Sequence, residues 1–121
     1  MWLSLNQLDL AAVEDFLKMA AKEIKKNNVY LVQFKYINGK KVKTEYLLKR
    51  IGIKNVKEIW EYILTLTKDD CIDISFDYDK SKDFNTEVFE FKKMINNKLV
   101  YIKLTIRDKL VCMSFHIDHY R

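Results

Sequence analysis

Four residues near the end of the chain, Tyr101, Lys103, Ser114 and His116, are of types that move protons or stabilise negative charge. Histidine titrates close to neutral pH, lysine carries a positive charge, and the two hydroxyls donate or accept hydrogen bonds. Their neighbours alternate with them and are largely apolar. In 99–106, Val100, Ile102, Leu104 and Ile106 share one face of an extended strand, while Tyr101, Lys103 and Thr105 share the other. In 110–117, Val111, Met113, Phe115 and Ile117 oppose Cys112, Ser114 and His116. Both apolar sets must face a core, and a slip of one residue breaks that agreement. A turn centred on Asp108-Lys109 satisfies it, pairing Ile106 with Val111 and Ile102 with Phe115. The same register sets Tyr101 opposite His116 and Lys103 opposite Ser114.

A third strand, 86–95, extends the surface. With a turn at Asn96-Asn97, Phe91 lies beside Ile102 and Phe89 beside Leu104 on the core side. Lys92 then lies beside Tyr101, and Glu90 beside Lys103. Neighbours in such a grid stand about 5 Å apart, close enough to share one substrate. The plainer reading is a wetted sheet face, where Tyr, Lys and Ser are ordinary residues.

The elements that must position this surface are legible upstream. Leu10, Val13, Phe16, Leu17, Ala20, Ala21 and Ile24 recur at helical steps, with Lys22, Lys25 and Lys26 late in the helix, where they complement its dipole. Asn27-Asn28 ends that helix. Residues 29–36 are β-branched and aromatic and read as a strand, and Asn38-Gly39 turns it into a short return strand, 40–43. Thr44 is placed to cap a short helix to Arg50, stopped by Gly52, and Asn55 to cap a second one carrying Val56, Ile59, Trp60, Ile63 and Leu64. After Asp69-Asp70 the period falls to two, with Ile72, Ile74, Phe76 and Tyr78 alternating, and 79–85 reads as a loop. The 121 residues show no repeat and no boundary, which predicts one domain over 1–121.

Composition narrows the classes. Hydrophobic residues make up 49% and aromatic ones 13%, enough for a core without a staple. There is no proline and only Gly39 and Gly52 as glycines, the reverse of a disordered chain. No stretch approaches the roughly 20 apolar residues that span a bilayer, and the first residues lack the basic and apolar regions of a secretory leader. Cys71 and Cys112 lie in apolar runs and form no C-x-x-C pair, as expected of free thiols in a cytoplasmic protein. A net charge of +5, from 22 Lys and Arg against 17 Asp and Glu, suits a polyanion or an acidic partner. His116 and His119 are three apart on a strand and point to opposite faces, so no metal site is expected. Neither glycine belongs to a phosphate loop.

The stretch Tyr101-Ile-Lys-Leu-Thr, followed after a turn by Val111-Cys-Met-Ser-Phe-His116, resembles the C-terminal signature of the MqsR (motility quorum-sensing regulator) toxins of type II toxin–antitoxin systems. Leu47-Leu-Lys-Arg-Ile-Gly-Ile53 and Ile59-Trp-Glu-Tyr-Ile-Leu-Thr-Leu-Thr-Lys-Asp-Asp70 are similar to the family's short helix, glycine stop and second helix, and Val88-Phe89 to its hydrophobic–aromatic pair. The resemblance implies a RelE-like α+β fold, with an antiparallel sheet of at least three C-terminal strands packed against helices from the N-terminal half. It implies a ribosome-independent endoribonuclease acting on mRNA, held inactive by a cognate antitoxin, with no cofactor. Tyr101 and His116 match residues linked to activity in the family, and Lys103 a recurrent lysine.

The expected chemistry is attack of a 2′-hydroxyl on the adjacent phosphate, with His116 as base or acid and Tyr101 as its complement. Lys103 and Lys92 would stabilise charge and Ser114 would orient the phosphate or His116. The chain departs from the family pattern after the second helix, where Ile72-Asp-Ile-Ser-Phe-Asp77 replaces a Gly-Pro pair and acidic residue. A family lysine has no equivalent there, and Thr86 stands near the place of a family glutamine. The competing expectation is a catalytically degenerate relative that binds protein or RNA.

Overall fold

The computed structural model describes residues 9–79 and 84–118. His119, the middle of the expected 79–85 loop and the first eight residues lie outside them. The described residues form an α+β fold with a mixed five-stranded sheet, a separate two-stranded sheet and three α-helices.

Helix α1 (Leu10–Lys25) starts where Asp9 accepts a hydrogen bond from the Ala12 amide at 3.1 Å, and it buries Val13, Phe16 and Ala20. Leu10, the first residue of the expected stripe, is instead exposed. The predicted 29–36 strand is two strands. β1 (Val29–Leu31) pairs with the last strand, and β2 (Phe34–Ile37) pairs with β3 (Lys40–Lys43). Asn38 and Gly39 have φ of 51° and 78°, the left-handed pair that a two-residue hairpin turn requires.

Thr44 does not cap helix α2 (Thr44–Ile51). It is the first helical residue, and its hydroxyl donates to the Val32 carbonyl at 2.6 Å, tying α2 to the end of β1. Gly52, at φ 92°, terminates α2 as expected. Helix α3 (Glu58–Leu64) begins three residues beyond Asn55. The Asn55 side chain accepts from the Lys57 amide, and Glu58 accepts from the amides of Lys54 and Asn55. Ile59 and Ile63 are buried, whereas Val56 and Leu64 stay in solvent.

Four strands then run antiparallel in succession: β4 (Cys71–Asp79), β5 (Phe84–Ile95), β6 (Lys98–Ile106) and β7 (Leu110–Ile117). The sheet order is β1-β7-β6-β5-β4, with β1 parallel to β7. The C-terminal strands are antiparallel as expected, and the parallel β1, which the sequence did not place in this sheet, makes the sheet mixed.

All three helices contribute to one core against one sheet face, with Phe91, Val100, Ile102, Leu104, Leu110, Cys112 and Phe115 at 0–1% exposure. Phe16 of α1 stacks on Phe89 of β5 at 4.0 Å between ring centroids.

The registers of β5 and β6 and of the Asn96-Asn97 turn are as the sequence predicted. That of β6 and β7 holds at Tyr101–His116, Ile102–Phe115 and Lys103–Ser114, then shifts. Leu104 faces Cys112 and Ile106 faces Leu110, not Val111. Met113 is the extra residue of a bulge, so Leu110 and Cys112 point to the core before it and Phe115 after it. A second shift, between Cys71 and Asp73 in β4, sets Cys71 beside Phe91 but Asp73 beside Glu90. Each bulge reverses the alternation, and each thereby delivers a polar side chain to the face away from the helices.

Candidate functional site

Two rows of residues cross that face. One runs Lys92, Tyr101, His116; the other runs Asp73, Glu90, Lys103, Ser114. The β2–β3 hairpin lies against the β7 end of these rows. It brings Lys35, whose Nζ donates to the Ser114 hydroxyl oxygen at 2.6 Å. Between hairpin and sheet is a cleft of about 340 Å³, lined by Lys35, Tyr36, Tyr101, Lys103, Ser114 and His116, with Asp118 also at its wall. The structure thus gathers all four residues singled out first, and adds Lys35.

His116 is more buried than its polar neighbours suggest. Its Nδ1 lies 2.9 Å from the Ile117 carbonyl oxygen. A carbonyl only accepts, so Nδ1 carries the proton of the neutral ring and Nε2 keeps a lone pair. Burial lowers the pKa of His116 from its ordinary 6.5, and the nearby Lys35 charge adds to the effect against the Ile117 carbonyl. The ring is therefore neutral, and basic at Nε2, at physiological pH. The Tyr101 and His116 rings are 5.5 Å apart and tilted by 32°.

Tyr101 donates its hydroxyl proton to Glu90. Burial and this carboxylate, with Asp73 and Asp118 beyond it, hold its pKa well above the ordinary 10.0. Tyr101 is a neutral hydroxyl across the physiological range, and no lysine lowers it.

Lys35 shifts the other way. Half burial and the adjacent Lys103 lower its pKa, so its ammonium gives up a proton more readily than a surface lysine. Ser114 is 2% exposed and lies beneath Lys35. Burial pushes the Cys112 thiol up to about 12 and that of Cys71 up to about 11, so neither is a nucleophile near neutral pH.

Three predicted residues stand apart from the cleft. Lys92 is paired with Asp118 at 3.1 Å, and Glu90 holds the Tyr101 hydroxyl from outside the cleft. Thr86 lies further along β5 and borders a separate cavity of about 570 Å³, lined also by Phe16, Met19, Phe89 and Arg107. Its hydroxyl is buried and has no partner among the described residues.

Lys35 was missed because its relation to Ser114 spans 79 residues and leaves no periodic mark. The one local signal was an isolated lysine within an apolar 29–37 segment. Among the described residues no group of three or more His, Cys, Asp or Glu could hold a metal ion. No helix of those residues is long and apolar enough to cross a membrane. No family model, curated protein or solved structure matches the chain.

Proposed function

We propose that the protein is an endoribonuclease of the RelE-like, MqsR type that cleaves mRNA without the ribosome and without a metal. The observation that carries this reading is the cleft itself, where a neutral histidine with an Nε2 lone pair is gathered with Lys35 and Lys103, neither of which forms an ion pair among the described residues. The +5 net charge favours a polyanionic substrate.

In this reading His116 Nε2 takes the proton of a 2′-hydroxyl, whose oxygen forms a bond to the adjacent phosphorus. Lys103 and Lys35 stabilise the charge that builds on the phosphoryl oxygens. The bond from phosphorus to the 5′-oxygen breaks, and Lys35, acidified by its surroundings, protonates the departing oxygen. The products are a 2′,3′-cyclic phosphate and a 5′-hydroxyl. Tyr101, fixed by Glu90, packs beside the His116 ring and orients it. A cognate antitoxin that covers the cleft would switch the enzyme off in the cytoplasm.

Purified protein incubated with mixed RNA and a chelator, with no ribosomes, tests this. We expect cleavage with cyclic-phosphate ends, and a loss of about 10²–10⁴-fold in rate for His116→Ala. Tyr101→Phe keeps the ring and loses less. Intact RNA under these conditions sinks the catalytic reading. It leaves the second one, a module that binds RNA or protein without cutting, which the commitment of the Tyr101 proton to Glu90 favours.

A further inference from the structure

The β2–β3 hairpin has two faces of different character. Lys35 and Ile37 point toward the sheet and are half-buried, while Phe34 and Tyr36 point outward. Phe34 is opposite Lys43 and Tyr36 is opposite Lys41, so the outer face alternates two aromatic rings with two lysines. Residues 34–43 hold four lysines and no carboxylate. No carboxylate among the described residues forms an ion pair with any of the four.

The Lys41 ammonium sits 4.2 Å from the centre of the Phe34 ring and covers it. The Tyr36 ring carries no such cover. At 72% exposure it is the most exposed large apolar side chain among the described residues, and it borders the cleft.

A lone exposed tyrosine needs no explanation. Here the ring stands at the mouth of a cationic cleft, beside a second ring, in a segment of unopposed positive charge. Lysines that track phosphates, with rings on which bases stack, are the combination by which proteins hold single-stranded nucleic acid. The alternation of ring and lysine along the outer face matches the alternation of base and phosphate along a single strand.

We propose that the outer face of the β2–β3 hairpin is a binding arm for single-stranded RNA, with one base stacked on Tyr36 and the neighbouring phosphates on Lys41 and Lys43. This rests on the ribonuclease reading for the identity of the polyanion and extends it by naming what holds the strand outside the cleft. The arm selects unpaired RNA, because a base in a duplex has no free face to offer Tyr36.

The test is binding of a single-stranded 2′-O-methyl oligoribonucleotide of about ten residues, which lacks the attacking hydroxyl. Fluorescence anisotropy is measured at several salt concentrations. Tyr36→Ala should weaken binding about tenfold, and Tyr36→Phe should retain the native affinity. The double variant Lys41→Gln/Lys43→Gln should reduce the slope of log affinity against log salt by about 1.4, close to 0.7 for each lost phosphate contact. A duplex of the same sequence should compete poorly.

Unchanged binding by both the Tyr36→Ala and the double-lysine variants, at native melting temperature, overturns the proposal. So does displacement of the oligonucleotide by an oligoglutamate peptide that binds native and Tyr36→Ala protein alike, which would make the hairpin a docking site for acidic protein. Hairpin-dependent binding by a protein that leaves RNA intact upholds the arm and removes only the catalytic reading. Cleavage by a protein whose hairpin variants bind normally does the reverse.

Discussion

At the scale of single residues, burial in and around the cleft displaces proton affinities, and these couple to stability. The folded protein holds His116 neutral, below its ordinary pKa of 6.5, whereas the unfolded chain takes up a proton there. The unfolded state therefore binds more protons as pH falls through that value, and stability drops with it. The loss levels once the folded histidine itself protonates. We expect the melting temperature to fall between about pH 7 and 5, and His116→Gln to flatten part of that fall. An identical pH profile for the two proteins would mean that His116 titrates in the fold as it does in the unfolded chain. The identity of His116, Tyr101, Lys103 and Ser114 as one group was legible, since two apolar alternations fixed which side chains face away from the core. The direction of the Tyr101 shift was not. It depends on Glu90 lying diagonally across the strand pair, and on Asp73 arriving beside Glu90 only because β4 carries a bulge.

At the scale of elements, the β2–β3 hairpin was readable from Asn38-Gly39, but its position over the sheet was not. A turn is a local signal, whereas the Lys35–Ser114 contact that docks the hairpin is a long-range one. Gly39 stands at φ 78° with nothing within 4 Å of where a Cβ would lie, so an added methyl meets only backbone strain. That strain is about 1–2 kcal/mol. Gly39→Ala should speed amide exchange in β2 and β3 about five- to thirtyfold, with β5–β7 unchanged in hydrogen-exchange mass spectrometry. Uniform acceleration across the sheet would show that the hairpin and sheet open together. The bulge at Met113 escaped the sequence for another reason. Val111, Met113, Phe115 and Ile117 alternate without a break, so nothing local shows that Leu110 and Cys112 take the core positions in the first half of β7.

At the scale of the whole molecule, the helices share one core beneath the sheet, with Phe91 at its centre and 0% exposed. Phe91→Ala should cost about 3–5 kcal/mol, a large part of the roughly 5–15 kcal/mol by which such a domain is stable. A urea midpoint that hardly moves would place the core elsewhere. The α+β class and the order of the C-terminal strands were legible because hairpin turns and alternation are local. The parallel β1–β7 pair was not, since parallel pairing leaves no turn between its partners.

That pair carries a consequence for the order of events in folding. Val29 meets Leu110, and Lys35 meets Ser114, contacts that join the first third of the chain to its last strand. During synthesis the N-terminal helix and the hairpin emerge first and wait, with no strand to close against, until β7 leaves the exit tunnel. Such long-range closure is slow compared with hairpin formation. The cleft is thus completed last, and a growing chain holds Lys35, Tyr36, Tyr101 and Lys103 without a site until Ser114 and His116 arrive.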